Sequence, residues 1–557
     1  MASDSSQSVG ERDRSLASTW RTDFAWPLLT SFSVLAIGAF CLLIAPTVIM
    51  APWDMFILLD GGWRIFNGEI PHNDYYTPIG PLVYWLSAAG MYVAGPSLKA
   101  VSLGILFFLG VAAPWAMTVF FRKLPGYFAF LLALFLVLLI VATRPLGYSP
   151  STTTYAMIYN RYGWVLISIL MVQLFLRNQE ESRTAASFDA VSAGALLALL
   201  FICKVSFFVV GFPALVLACI LRPELRRVAW KAACSFGAVC FLAWLVTGIN
   251  PQDYLKDLSF AAKSQSLGLR FLWLKNSLHA NVVPVLLLAL CWFLLVAAGY
   301  WRKTITLADA IRCSIVFWFL LAGGMFITVG NASERSDVPL FLVTAVILFV
   351  GVSRSEIPMR ARDGGTRTRF IHYGFAAAVI AFFFVGTAGK DALSLANTYF
   401  AGERQKTEPD FSEKFDAPYL SDFTIPADSQ WQTAYSRAGE VPSRINEGLE
   451  LLRRHVAADD QVVTLALTDP FSFALDLVPA KGAPLWWDLG ISFTRKNYPS
   501  PETVFANADY VIYPLTSPQA GCCQETVTTL LDLYGGFLGE HFTRADASAH
   551  WVLLRRR

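Results

Sequence analysis

Long apolar stretches separated by short polar segments dominate the first 390 residues of the chain. A helix of about 20 apolar residues can cross the ~30 Å hydrocarbon core of a bilayer. By this pattern we predict eleven membrane-spanning helices, at residues 26–49, 98–121, 126–143, 162–176, 187–203, 205–221, 228–248, 280–299, 308–328, 338–353 and 370–388. The shorter run from Pro81 to Gly95 ends at Gly95-Pro96 and predicts an interfacial or re-entrant helix.

The hydrophobic pattern changes after residue 389. Residues 389–440 are rich in Pro, Ser and Asp and are predicted to be irregular. Beyond them the pattern predicts helices at Arg444–Ala457 and Gln524–Leu533, and strands at Gln461–Leu467, Asp509–Pro514, Phe537–Phe542 and His550–Leu554. The predicted fold is therefore an α-helical polytopic membrane protein with a small C-terminal α/β domain. Its parts are an N-terminal segment (1–25), a membrane domain (26–388), a linker (389–440) and the α/β domain (441–557).

Composition supports a membrane protein and charge gives its orientation. The chain is 55% hydrophobic and 15% charged, with a mean hydropathy of +0.49. Alternate connections carry the Lys and Arg residues, including the Arg-rich segment 354–369, and the positive-inside rule places these connections and the N-terminus in the cytoplasm. The outer loops are then 50–97, 144–161, 249–279 and 329–337, and the C-terminal domain is extracytoplasmic. The net charge of only +3 gives no reason to expect a nucleic-acid partner.

The first outer loop carries a motif. Asp54 begins an apolar helical run that ends at Gly68-Glu69-Ile70-Pro71-His72, and Asp74-Tyr75-Tyr76 and Pro78-Ile79-Gly80-Pro81-Leu82 follow. This order resembles the first extracytoplasmic loop of the GT-C glycosyltransferases. That superfamily includes protein O-mannosyltransferases, the lipid A aminoarabinose transferase and rhizobial lipopolysaccharide galacturonosyltransferases.

The resemblance implies a reaction as well as a fold. GT-C enzymes transfer a sugar from a polyprenyl-phosphate donor to an acceptor on the outer face of the membrane. The acid at the position of Asp54 is their general base, and direct displacement implies inversion at the anomeric carbon. The implied acceptor is an envelope glycan or a lipopolysaccharide, with lipid-linked or protein acceptors left open, and the implied location is the bacterial inner membrane.

Several acids and aromatic residues of the first loop have two interpretations. Asp54 is the predicted base, or it caps an interfacial helix after Pro52-Trp53; a carboxylate this near to lipid is costly unless it is used. Asp60 lies about 240° further round that helix and is expected to be solvated or salt-bridged. Asp74, Tyr75 and Tyr76 are expected to shape the acceptor side of the cavity, although Asp74 could instead close an Asx turn.

Cationic residues on the outer side are candidates for binding the donor phosphate. Lys204 interrupts a long apolar run, and it either binds the lipid phosphate or extends its ammonium to the membrane interface. Arg335 has acidic neighbours that could neutralise it. Arg161 and Asn160 lie in the aromatic segment Tyr155–Trp164, which suits carbohydrate or phosphate contact but is also typical of an interfacial belt.

The sequence therefore predicts an integral membrane glycosyltransferase, of hexosyl or pentosyl type, in which Asp54 is the base. No cofactor is required, and a divalent metal is allowed but not indicated, because no metal-ligand cluster is recognisable. The alternatives are a secondary transporter, which should have charges at mid-membrane depth, and a non-catalytic scaffold that presents the C-terminal domain.

Overall fold

The computed structural model describes residues 32–40, 52–178, 182–265, 267–301, 303, 305–330, 337–355, 377–408, 412–426, 440–517 and 523–557. The helices up to residue 407 are α1 (32–40), α2 (Trp53–Phe66), α3 (Leu82–Ala94), α4 (Leu98–Lys123), α5 (Gly126–Val141), α6 (Ile158–Phe175), α7 (Arg183–Cys203), α8 (Val205–Leu221), α9 (Pro223–Arg226), α10 (Ala229–Thr247), α11 (Pro251–Ser264), α12 (Leu267–Ala280), α13 (Val282–Trp301), α14 (Leu307–Val329), α15 (Leu340–Ser355) and α16 (Ala377–Thr407). Helix α16 includes one π-helical turn, Val385–Gly389.

The predicted spans correspond to helices. Among the described residues, α4, α6, α7, α10, α13, α14 and α16 are long and apolar enough to cross a membrane, and α3, α5, α8 and the first part of α15 are shorter apolar helices. The predicted span 26–49 is described only at 32–40. The predicted fold class, a polytopic helical membrane protein, is confirmed, whereas the orientation of the termini stays a prediction.

Lys204 separates α7 from α8, as its position in the apolar run predicts. It adopts an extended conformation (φ −163°, ψ 120°) between two helices that each continue the apolar sequence. The short helix predicted after Pro81 is α3, which ends at Gly95 with φ +78°, a conformation that glycine adopts without strain. The Arg-rich segment predicted to be cytoplasmic lies mostly outside the described residues.

Two local predictions are wrong. Residues 390–407 are helical and extend α16 beyond the predicted span, although they were predicted to be irregular. The predicted strand Phe537–Phe542 is instead the end of a helix that runs from Gln524 to His541. Val527, Leu530, Tyr534 and Leu538 are buried at helical spacing along that segment, so its packing requires a helix.

Among its described residues, the C-terminal part has two small sheets and four α-helices. Its elements in chain order are β1 (Ser412–Lys414), β2 (Thr424–Pro426), α17 (Glu440–Arg453), β3 (Val462–Thr464), α18 (Phe471–Ala474), α19 (Pro501–Val504), β4 (Tyr510–Pro514), α20 (Gln524–His541), β5 (Phe542–Ala547) and β6 (Trp551–Arg556). β1 and β2 form an antiparallel pair, and the second sheet has the order β3-β4-β6-β5. In it β3 and β4 are parallel and the other pairs antiparallel, as expected of an α/β unit.

Helix α2 is enclosed between the membrane helices and the C-terminal part. On one side Gly61 lets the Tyr84 ring of α3 approach closely, since a Cβ at this glycine would lie 2.4 Å from a ring carbon. On the other side Trp63 Nε1 donates a hydrogen bond of 2.9 Å to Leu477 O, and its ring meets Phe473 edge to face at 5.9 Å. The C-terminal part is therefore packed against the first outer loop.

A buried ion cluster holds this junction. The guanidinium of Arg64 lies 3.0 Å from Asp60 Oδ2 and 3.1 Å from Glu69 Oε2, and all three side chains are nearly inaccessible. Its Nη1 also donates to Ala480 O at 2.9 Å. Burial raises the pKa of Asp60 to about 7, and the positive charge of Arg64 opposes this shift. Asp60 is salt-bridged, which is one of its two expected states.

We expect Arg64→Met to lower the thermal stability of the purified chain sharply at pH 8. Breaking a buried pair leaves uncompensated carboxylates and typically costs about 3–5 kcal/mol. The loss should be smaller near pH 5, where protonation removes the unpaired charges, and the triple variant Arg64→Met/Asp60→Asn/Glu69→Gln should recover part of it. The measurement is the melting temperature of all three proteins at both pH values. Equal melting temperatures of Arg64→Met and wild type at pH 8 would contradict the role of the cluster.

Candidate functional site

Asp54 reaches from the first turn of α2 to the start of α6. Its Oδ2 accepts a hydrogen bond of 2.8 Å from the backbone N of Met157, the residue that precedes α6. Met157 has φ +56°, so its amide is presented by a left-handed turn. The side chain thus contacts the start of another helix, and its alternative role as a cap of α2 stays a prediction. A carboxylate at a helix N-terminus interacts favourably with the helix dipole.

Lys204 and Asn160 meet beside the same turn. Lys204 Nζ donates to Asn160 Oδ1 at 2.9 Å and lies 5.0 Å from the centre of the Tyr159 ring. Asn160 is one turn after Met157, whose carbonyl accepts from Asn160 N at 2.9 Å. Asp54 and Lys204 therefore both contact the first turn of α6. These two residues, 150 positions apart in sequence, are brought to one place by the tertiary structure.

The first outer loop also contacts the break between α7 and α8. Gly80 N donates to Cys203 O at 3.2 Å. A Cβ at Gly80 would lie 1.8 Å from Ile202 O, so only glycine allows this approach. The contact places the loop directly beside Lys204.

Asn160 has an unused donor in this arrangement. The residue is 1% exposed, and its Nδ2 has no hydrogen-bond partner among the described residues. A buried amide without a partner costs free energy unless something binds it. The neighbouring ammonium of Lys204 and this amide could together donate to an anionic group.

The C-terminal part contributes an acid that sequence reasoning missed. Asp488 follows Trp486-Trp487 and lies in a tight turn, in which its backbone N donates to Ser492 Oγ at 2.7 Å. Burial, followed by the negative charge of Asp54, raises the pKa of Asp488 to about 7. Burial also raises the pKa of Asp54 to about 6, although the hydrogen bond from Met157 N opposes this. An acid directly after two tryptophans was the only sequence signal for Asp488.

Backbone pairing with the first loop fixes the position of Asp488. Gly482 N donates to Asp74 O at 2.7 Å, and Leu485 N donates to Tyr76 O at 2.9 Å. Lys481 adds an ion pair of 3.1 Å with Asp74 Oδ1. The segment that ends at Asp488 is thus aligned along the loop that begins at Asp54.

The three predicted acceptor residues of the loop have structural contacts. Asp74 Oδ2 accepts from Ile70 N at 2.7 Å, so the side chain closes the loop 70–74. This bond reaches four residues back and is not an Asx turn, in which the side chain bonds a backbone N–H two residues later. Tyr75 is buried with the Arg64 guanidinium 5.2 Å from its ring centre, and Tyr76 packs edge to face on Phe260 at 4.7 Å. These contacts join the loop to its surroundings, and a role in acceptor binding stays a prediction.

Arg161 makes structural contacts with all of its donors, which argues against its predicted role as a ligand of the donor phosphate. Its donors bind Asp391 (3.0 Å and 3.2 Å), Arg144 O (2.8 Å and 2.5 Å) and Leu139 O (2.9 Å), so no donor is left for a phosphate. The reason is its burial, which requires every guanidinium N–H to be paired. The other predicted phosphate ligand, Arg335, lies outside the described residues.

His72 is a loop residue, as predicted. It has φ +70°, and its Nδ1 lies 2.8 Å from Asp257 Oδ2 of α11. In the part of the chain that the structure describes, no three His, Cys, Asp or Glu side chains are grouped in a way that could hold a metal ion.

No protein-family model matches the chain, and no curated protein matches it. Similar solved structures include ArnT from Cupriavidus metallidurans in the apo state (12% identity, TM-score 0.46, covering 97% of this chain and 98% of that chain) and ArnT bound to undecaprenyl phosphate (11%, 0.45, 95% and 98%). Another is the Archaeoglobus fulgidus oligosaccharyltransferase in complex with Zn and sulfate (12%, 0.34, 86% and 68%).

We expect Asp488→Asn to raise the melting temperature at pH 8 and to leave it unchanged near pH 4. The folded pKa of about 7 lies above the ordinary value of 3.8, so the unfolded chain loses this proton first and stability falls as pH rises from about 4 to 7. The asparagine variant lacks this loss of stability, so its melting temperature at pH 8 should be roughly 1–3 °C higher than that of wild type. Asp459→Asn, at an exposed acid, is the matched control. A decrease at pH 8 would contradict the raised pKa.

Proposed function

We propose that this chain is a GT-C-type membrane glycosyltransferase that moves a sugar from a polyprenyl-phosphate donor to an acceptor hydroxyl at the outer face of the membrane. One observation carries the proposal: the carboxylate of Asp54 and the ammonium of Lys204 converge on the first turn of α6, contacting Met157 N and Asn160 Oδ1. A base and a cation close together are what transfer from a phosphate carrier to a hydroxyl needs.

In the proposed reaction Asp54 accepts the proton of the acceptor hydroxyl. The oxygen then attacks the anomeric carbon while the bond from that carbon to the phosphate oxygen breaks, so the product has inverted configuration and the lipid phosphate leaves with the bonding electrons. A pKa of about 6 leaves Asp54 ionised at neutral pH and still basic enough to accept this proton.

Lys204 and Asn160 are proposed to stabilise the leaving phosphate. Lys204 supplies a positive charge, and the unpaired Nδ2 of Asn160 supplies a donor at the start of α6, where the helix dipole also favours an anion. Asp488 is proposed to face the acceptor, because it belongs to the C-terminal segment that covers the first loop. The proposal also includes an acceptor of the cell envelope on the extracytoplasmic side and a location in the bacterial inner membrane.

The ion pair between Lys123 and Asp189 gives the transporter alternative no specific support. Lys123, the last residue of α4, lies 2.8 Å from Asp189, in the second turn of α7. Both positions are at helix ends, whereas a transported ion requires charges near the centre of the membrane.

Asp54→Asn should lower the rate of transfer by at least about 100-fold, because asparagine has a similar shape to aspartate but cannot act as a general base. The purified variant is compared with wild type in a lipid-donor assay with polyprenyl-phosphate sugars. In wild type the rate should rise with pH through about 6, as Asp54 loses its proton, and the variant should lack this limb. Asp459→Asn is the control. Near-wild-type transfer by Asp54→Asn would refute the proposed base.

Lys204→Met should weaken use of the lipid donor without reducing thermal stability, because methionine suits an apolar span better than an ammonium does. We expect at least a tenfold lower kcat/KM for the donor, the usual effect of losing a charged hydrogen bond. Lys204→Arg should recover part of the lost kcat/KM. A change in melting temperature with unchanged donor kinetics would show that Lys204 is structural and would contradict its proposed role.

A further inference from the structure

A cavity of about 410 Å³ lies at the opposite end of α6, between α6, α8, α14 and α15. Its walls are mainly apolar and include Leu174, Ala218, Val316, Phe317, Leu320 and Leu348. This volume falls within the range of about 300–1,000 Å³ that is typical of small-molecule sites. Apolar walls of this kind favour a hydrocarbon occupant over water.

The cavity has a predominantly basic border. Among the described residues that line it, Arg177, Arg222 and Arg312 are basic and Asp309 is the one acid. The carboxylate of Asp309 already accepts from Thr306 Oγ1 at 2.7 Å, within the capping box of α14. The side chain of Arg312 is 57% exposed, and its Nη1 lies 3.9 Å from Asp309 Oδ1. The border therefore has a net positive charge that an anionic headgroup would complement.

Arg222 has a different task from the other two arginines. It is buried, and it binds Glu224 Oε1 (2.9 Å), Asp189 (3.4 Å), Gln173 O (3.3 Å) and Leu174 O (3.1 Å). These bonds fix the end of α6 against α8 and so hold one wall of the cavity open. Arg177 and Arg312 are left as the arginines at the solvent-facing border.

The cavity is separate from the candidate catalytic site. Asn160 and Leu174 lie near opposite ends of α6, fourteen residues apart, which corresponds to about 21 Å along the helix. The phosphate site proposed at Lys204 is thus most of a membrane thickness away. An occupant of this cavity would not compete for the base or for the leaving phosphate.

Helix α14 shows how an occupant could enter. Ile311 and Ile315, which neighbour the lining residues Arg312 and Val316 in sequence, are 51% and 44% exposed, and Trp318 is 46% exposed. Exposed apolar side chains on a membrane helix contact lipid. The lipid-facing side of α14 therefore begins next to the cavity, and an acyl chain could pass between them.

We propose that this cavity binds an anionic glycerophospholipid of the bilayer. One acyl chain occupies the apolar interior, and the phosphate lies at the border between Arg177 and Arg312. The apolar walls, the basic border and the adjoining lipid-facing surface select this class of ligand. Bound lipid would fill the space between α6, α8, α14 and α15 and so stabilise the folded chain.

The test compares two lipids with identical acyl chains. The full-length chain is purified in neutral detergent, and phosphatidylglycerol or phosphatidylcholine is added; binding is measured by native mass spectrometry and stability by the melting temperature. We expect phosphatidylglycerol to bind and to raise the melting temperature more than phosphatidylcholine. The variant Arg177→Gln/Arg312→Gln should bind phosphatidylglycerol roughly tenfold more weakly, as expected for the loss of two charges near a headgroup.

Two further variants keep the test decisive. Arg226→Gln/Arg227→Gln removes two exposed arginines of the same region that do not line the cavity, and it should bind phosphatidylglycerol like wild type. Val316→Trp fills the cavity and should weaken binding of phosphatidylglycerol without changing its border charge. Equal binding of the two lipids, or unchanged binding in both Arg177→Gln/Arg312→Gln and Val316→Trp, would overturn the proposal. The proposal would also be overturned if the chain retained an added polyprenyl phosphate in place of phosphatidylglycerol, and if these variants abolished that retention.

Discussion

The buried guanidinium of Arg64 determines how the first outer loop and the C-terminal part fit together. It lies between Asp60, Glu69 and the carbonyl oxygen of Ala480, so it connects α2 to both. A buried guanidinium is tolerated only when its N–H donors are paired with acceptors. Because these acceptors must lie at fixed positions around Arg64, α2 has little freedom in its placement. Because Asp54 is on the same helix, its approach to Met157 depends on this arrangement.

The proposed catalytic groups are held at a cost to stability. Asp54 and Asp488 are acids whose burial raises their pKa values to about 6 and about 7, so the folded chain keeps two carboxylates that become less favourable as they ionise. Acids perturbed in this way are concentrated at functional sites, although structural networks contain them too. Asp60 illustrates the second case, since its neighbour Arg64 is a dedicated partner.

Helix α6 links the two sites that we propose. Its first turn meets Asp54 and Lys204, and its last turn forms part of the cavity lined by Arg177 and Arg312. The helix is buried along most of its length, so its position is set by packing on every side. One rigid element therefore supports both sites at opposite ends of the helical part.

Hydrophobic patterning alone was enough to predict most of the apolar helices, the break at Lys204 and the presence of an α/β unit, because these follow from local periodicity and the length needed to cross a bilayer. It did not predict the helix over 390–407 or the helical end of α20. The loop motif singled out Asp54 in the same way. Only the tertiary structure showed that Arg161 is paired with Asp391 and that Asp488 lies beside the first loop. Such roles depend on contacts between residues hundreds of positions apart, and a charged side chain has the same identity in sequence whether its donors are paired or unused.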